Sequence, residues 1–146
     1  VAKLKVSGYV PIEPEQAWAH VSDLSDLGSW LTLHETWRSE VPEELTKGTK
    51  LVGIARVKGM RNRVTWTVTD ANCPRRLALS GEGKGGTKFG LEVLVSAKGT
   101  GSDVVVQIEL GGRPLFGPIG AGAARAVKGD VEKSIQTFVE RYSPHL

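Results

Sequence analysis

The chain has 146 residues, 40% of them hydrophobic and 24% charged, a size and balance that suit one domain with one sizeable core and exclude a disordered chain. A net charge of +3 permits an acidic partner without requiring one, and the single cysteine, Cys73, excludes an internal disulfide. No apolar run approaches the roughly 20 residues needed to span a bilayer and no signal-peptide layout opens the chain, so the expected address is cytoplasmic.

Lys3 to Val10 alternates well enough for a strand, and Pro11 ends it. Pro14 then opens a short helix that turns Ala17, Trp18 and Val21 inward, and a second short helical piece is predicted from Asp23 to Leu31. Thr36 to Val41 reads as extended. After a turn from Pro42 to Gly48, further strands are predicted over Lys50 to Lys58, Arg63 to Asp70, Arg76 to Glu82, Lys88 to Ala97 and Asp103 to Gly111. The segments between them, Gly59 to Asn62, Asn72 to Pro74, Gly83 to Gly86 and Gly99 to Ser102, are rich in turn residues, so an antiparallel meander is expected. Cys73, beside Pro74 in one of these turns, reads as a structural or incidental thiol. Leu115 to Leu146 reads as one long helix with unlike halves. Gly117 to Ala124 is built of small residues, whereas Val127, Val131, Ile135, Phe138, Val139 and Tyr142 recur at helical spacing as an apolar stripe. Such a helix anchors at one end and leaves room beneath the other.

Period-2 reading puts Val64, Trp66 and Val68 on one face, continued by Leu77, Leu79, Phe89, Leu91, Val93, Val95, Val104, Val106, Ile108 and Leu110. Arg63, Thr65, Thr67, Ser80, Lys88, Glu92, Gln107 and Glu109 fall on the other. One covered and one solvated face is the pattern of an antiparallel sheet, and the C-terminal helix has the apolar surface to cover it.

The order strand, two short helices, antiparallel strands and long C-terminal helix resembles the helix-grip fold of the START-related (SRPBCC) superfamily, which includes plant pollen allergens and polyketide cyclase/dehydrase-like proteins. At finer grain, Trp30-Leu31-Thr32-Leu33-His34, Trp37-Arg38-Ser39, Val57-Lys58-Gly59-Met60, Trp66-Thr67, Leu115-Phe116-Gly117-Pro118-Ile119-Gly120 and Lys128-Gly129-Asp130 are similar to an actinobacterial branch described as the toxin half of a type II toxin–antitoxin pair. The resemblance covers the whole chain as a single domain. It implies an α+β fold in which a curved antiparallel sheet of about seven strands wraps the C-terminal helix. It implies no defined chemistry, because one fold hosts many functions.

Gly81-Glu82-Gly83-Lys84-Gly85-Gly86 matches the letters of G-x-G-x-x-G, but a strand follows it where a dinucleotide site needs a helix N-terminus, so a hairpin turn is expected. Gly117 to Gly122 does precede a helix, yet no hydroxyl or lysine of a phosphate loop accompanies it, which favours close packing beside a pocket. The chain lacks H-E-x-x-H, paired C-x-x-C, an aspartate loop and a G-x-S-x-G elbow, so no metal, cofactor or acyl-transfer serine is expected. Asp103, Glu109 and Glu92 fall at turn or solvent positions. The aromatics fall on the covered face, against nucleic-acid binding.

Trp30, His34 and Trp37 gather around the second short helix, where they suit either plain core or the wall of a cavity. The function expected is binding of a hydrophobic small molecule, lipid-like, aromatic or polyketide-like, between sheet and helix. Trp30, Trp37, Val57, Trp66, Leu79, Phe89, Leu91, Leu110, Phe116 and Ile119 are the candidate lining, and His34 the candidate polar contact. Arg56, Lys58, Arg61 and Arg63 make a basic hairpin tip, with Met60 beside it, that suits solvation or contact with an acidic partner. From the resemblance, that partner is a small cognate antitoxin. A cyclase or dehydratase in the same cavity is the alternative, and it needs inward acid–base groups that strand parity supplies only at His34 or Arg56 after a register irregularity. Either a monomer or a homodimer is compatible with the sequence.

Overall fold

The computed structural model describes residues 2–42, 44–57, 60–72, 75–83, 86–111 and 117–143, with the backbone alone for residues 2, 57, 60, 117–124 and 126. Strand β1 (Ala2–Val10) leads into helix α1 (Pro14–Val21), where Pro14 pre-sets the first turn and Gln16 Oε1 accepts the Glu13 backbone N–H at 3.2 Å. A 3-10 helix (Leu24–Ser29) and the short strand β2 (His34–Trp37) follow. Then come β3 (Lys50–Val57), β4 (Met60–Asn72), β5 (Arg76–Glu82), β6 (Lys88–Lys98), β7 (Gly101–Gly111) and the long helix α2 (Gly117–Tyr142). The strands form one curled antiparallel sheet in the order β1-β7-β6-β5-β4-β3-β2, a seven-stranded half-barrel against which α2 packs.

Several boundaries depart from the sequence expectation for local reasons. Strand β2 ends at Trp37 instead of continuing to Val41, because the N–H groups of Arg38 and Ser39 both bond to the Val52 carbonyl and turn the chain off the sheet edge. Met60, Arg61 and Asn62, expected in a turn, are strand residues paired with Val57, Arg56 and Ala55, so residues 58–59 alone separate β3 from β4. Gly99, at φ +59°, lets the two residues Gly99-Thr100 close the next hairpin with Lys98 paired to Gly101, and β7 therefore starts earlier than Asp103. Helix α2 ends at Tyr142, consistent with Pro144 disfavouring helical backbone at Ser143. Cys73, Pro74, Leu115 and His145 lie outside the described residues, as does the small side-chain content of Gly117 to Ala124. Among the described residues no helix is long and apolar enough to cross a membrane.

The inward parity holds along the strands except at irregularities in β2, between His34 and Thr36, and in β4, between Val68 and Asp70. Leu51, Val64, Val68, Leu77, Val93, Val104 and Val106 are all buried on the concave face, while Arg76 on the convex face bridges Asp70 and Glu92 at 2.7 Å each. Over this core the second half of α2 packs mainly on β1 and buries Val127, Val131, Ile135 and Phe138. Ser134, also fully buried, accepts the Thr32 backbone N–H at 2.9 Å and donates to the Asp130 carbonyl, tying the helix to the segment that precedes β2. At the far end the Tyr142 hydroxyl donates to Asp26 at 2.7 Å, which holds that carboxyl below its usual range.

The close approach of α2 to β1 depends on Gly8. A Cβ placed there would collide with Cγ2 of Ile135. Gly8→Ala is therefore expected to destabilise the protein by about 2 kcal/mol through overpacking. Combined with Ile135→Ala it should cost less than the sum of the two single changes, measured by urea unfolding; strict additivity would mean the two residues do not meet.

Candidate functional site

Where α2 leaves β1, the sheet and the helix do not close on each other. A narrow apolar cavity, open to solvent on one side, lies between them. Its described floor is the concave face of four strands: Trp66 from β4, Leu79 from β5, Phe89 and Leu91 from β6, and Ile108 and Leu110 from β7. Leu27, Leu31 and Leu33 close it from the 3-10 helix and the turn after it, and Val127 closes it from α2. His34, Trp37 and Ala55 complete the wall at the β2–β3 edge.

That edge is shaped by a bulge. In a regular strand residues three apart face opposite ways, so His34 and Trp37 could not both point inward. Here His34 pairs with Ala55, Thr36 with Ile54 and Trp37 with Gly53, which leaves Glu35 as the extra residue and returns both aromatic rings to the concave face. Gly53 accepts them because a Cβ there would sit 3.0 Å from Trp37 and 3.2 Å from His34. The two rings lie 4.3 Å apart, and the Trp37 indole N–H donates to the Leu24 carbonyl at 2.6 Å, fixing the ring. Gly81 plays the same part under Trp66, whose ring atoms lie 2.8 Å from where a Cβ would be.

His34 is 9% exposed, and burial pushes its imidazole down to about 4, so it is neutral near pH 7. No carboxylate among the described residues forms an ion pair with it. Glu35, the bulged residue, points outward and takes Arg56 at 3.2 Å and Arg61 at 2.6 Å. Two cations of the basic hairpin are thus paired locally. Arg63 is exposed on the same outer face of β4, and Lys58 lies outside the described residues. Arg56 is exposed, so the irregularity that brings His34 inward does not bring Arg56 with it.

Of the side chains expected to line a cavity, His34, Trp37, Trp66, Leu79, Phe89, Leu91 and Leu110 meet around this one. Trp30 does not. It is fully buried in the core, edge-on to Phe138 at 5.0 Å, with no hydrogen-bond partner for its indole N–H among the described residues. The side chains of Val57 and Ile119, and Phe116 altogether, lie outside the described residues. Sequence reasoning missed Leu27, Leu31, Leu33, Ala55, Gly90, Ile108 and Val127. Ala55 follows Leu51 and Gly53 at period 2, Ile108 shares the parity of Leu110, and Leu27 and Leu31 stand four apart, so the signals existed. The expected hairpin at Gly81 to Gly86 is present, with the Gly83 N–H bonded to the Thr87 carbonyl and β6 following directly.

A curled antiparallel half-barrel with a cavity under a long C-terminal helix is a START-like architecture, and the comparisons agree. Residues 1–143 match the family model described as polyketide cyclase / dehydrase and lipid transport. The chain belongs to this family, within the SRPBCC superfamily. It is 54% identical over 142 residues to Rv1546 of Mycobacterium tuberculosis, covering 97% of this chain and 99% of that one. It is 45% identical over 139 residues to Toxin Rv0910 of the same organism, covering 95% and 96%. Among solved structures, a START superfamily protein from Mycobacterium smegmatis superposes with a TM-score of 0.75 at 14% identity over 97% of this chain and 99% of that one. TTHA0849 from Thermus thermophilus does so with 0.69 at 22% identity, over 96% of each chain.

Proposed function

We propose that this chain is a non-catalytic binding module that takes a hydrophobic small molecule, lipid-like, aromatic or polyketide-like, into the cavity between sheet and helix. The observation that carries this reading is the character of the lining: among the described residues it contains no charged side chain and one titratable group, the unpaired His34. Removing apolar ligand surface from water would supply most of the affinity, at about 25 cal/mol per Å² before the costs of association are subtracted. A cyclase or dehydratase is the weaker reading because acid–base chemistry wants a base oriented by a second group, and His34 has no carboxylate partner among the described residues.

Filling the cavity tests the proposal. Leu91→Trp is expected to abolish binding of a neutral aromatic probe such as naphthalene, at a stability cost of about 1–3 kcal/mol from overpacking, with the far-UV circular dichroism of the parent retained. Undiminished binding in that folded variant would place the ligand elsewhere. The toxin-named relatives support a further physiological role as the toxin of a toxin–antitoxin pair in the cytoplasm, with Arg56, Lys58, Arg61 and Arg63 as the candidate contact for a small acidic antitoxin. Native mass spectrometry of the protein purified from its host, searched for a bound small molecule and for a small protein, reads both parts at once.

A further inference from the structure

The cavity's polar inventory narrows what can enter it, taking the binding reading above as given. Three described lining side chains carry a polar atom: His34, Trp37 and Trp66. The Trp37 N–H is engaged by the Leu24 carbonyl, and an indole can only donate. His34 alone offers both an acceptor nitrogen and a donor N–H, and it does so from a side chain more than nine-tenths buried.

Its position adds a direction. His34 and Trp37 also line a second, polar depression on the surface, shared with Ser25, Asp26, Ser29 and Glu35. The imidazole therefore stands at the boundary between an apolar interior and a groove whose described charged groups are two carboxylates. A ligand oxygen at His34 would lie at this boundary with its carbon skeleton reaching inward over Leu91 and Ile108. An anionic oxygen there would shed water without a cation among the described lining residues; Glu35 is already engaged by Arg56 and Arg61, and Asp26 by Tyr142 and Arg141, so the selection rests on the cost of desolvation.

We infer that the cavity selects an uncharged amphiphile, a compact apolar body carrying one hydroxyl or carbonyl oxygen that is hydrogen-bonded to the His34 imidazole, and that it rejects the corresponding carboxylate. Burial keeps that imidazole neutral, and so able both to donate and to accept, throughout the physiological range.

Three probes with one skeleton test this at pH 7 by equilibrium dialysis against the full chain: naphthalene, 2-naphthol and 2-naphthoate. Wild-type protein should bind 2-naphthol at least about a hundredfold tighter than 2-naphthoate, given the cost of desolvating an unpaired anion. His34→Phe should weaken 2-naphthol by about tenfold, the usual scale of one lost buried hydrogen bond, and leave naphthalene binding intact or improved. Equal binding of 2-naphthol and 2-naphthoate to the wild type would overturn the inference while leaving the cavity reading in place. So would a His34→Phe substitution that changes 2-naphthol and naphthalene binding by the same factor. If neither naphthalene nor 2-naphthol binds the wild type, the binding proposal falls and this inference with it. The wild-type comparison needs no variant, so it decides even if His34→Phe fails to fold.

Discussion

Phe138→Ala is expected to lower the unfolding free energy by about 4 kcal/mol, the upper range for truncating a buried aromatic. Phe138 is fully buried and holds together α2 and the elements packed on its C-terminal half, away from the apolar cavity. Trp30 meets it edge-on at 5.0 Å and Tyr142 at 4.8 Å, while Tyr142 stacks on His20 at 3.8 Å and bonds to Asp26. One ring thus joins α2 to the 3-10 helix and, through Tyr142, to α1. Removing it leaves a void bordered by Trp30, the largest of the fully buried side chains, which cannot collapse into the gap without leaving its rotamer. A domain of this size has about 5–15 kcal/mol of stability in total, so the variant should unfold at a markedly lower urea concentration than the parent. The cavity lies at the other end of the helix, and ligand binding in the folded fraction should persist. A loss below about 1 kcal/mol would mean that the helix is held elsewhere, with Ser134 and Ile135 the next candidates.

The anchoring half of α2 was legible in the sequence because it is written in side-chain volume at helical spacing. Val127, Val131, Ile135 and Phe138 can bury only one face, and they do. Most of the concave face of the sheet was legible for the same kind of reason: an antiparallel sheet covered on one side favours alternation, and the apolar residues of β6 and β7 keep it, whereas β4 slips by one residue between Val68 and Asp70 and Ala78 is buried between Leu77 and Leu79. The β2 edge was not legible. Period 2 would send His34 and Trp37 to opposite faces, and only the extra residue at Glu35 reconciles them. Nothing in His34-Glu35-Thr36-Trp37 marks a bulge. The choice between core and cavity wall for Trp30 was open for a related reason. It ends a 3-10 helix too short for a periodic pattern, so whether its ring enters the core or the cavity is decided by Phe138, more than a hundred residues away. The same holds for Leu27 and Leu31, whose role as cavity wall depends on the sheet that faces them.

The second large effect concerns acid. As pH falls from 6.5 to about 4, His34 should cost the folded state about 3 kcal/mol, more than any surface ion pair of the molecule would contribute. The sign follows from which state takes up the proton. In the unfolded chain the imidazole is solvated and protonates near its ordinary 6.5, whereas in the folded chain burial delays this until about 4. Between those values the unfolded state binds more protons, so stability is fully present above 6.5 and declines by up to about 1.4 kcal/mol per pH unit on the way down. Below 4 both states carry the proton and this contribution levels off. Asp26, whose carboxyl the Tyr142 hydrogen bond holds below its usual range, adds acid sensitivity of its own, so the diagnostic quantity is the difference between wild type and His34→Phe. Urea unfolding at intervals from pH 7.5 to 4.5 should give curves that diverge in slope, the variant being flatter; parallel curves would mean that the imidazole is solvated or paired in the folded state. A bound ligand whose hydroxyl donates to the unprotonated nitrogen of His34 stabilises only the neutral form, so saturating 2-naphthol bound in this way should push the onset of acid unfolding to lower pH in the wild type and have a smaller effect in His34→Phe. The same residue would then set both what the cavity holds and the pH at which it lets go.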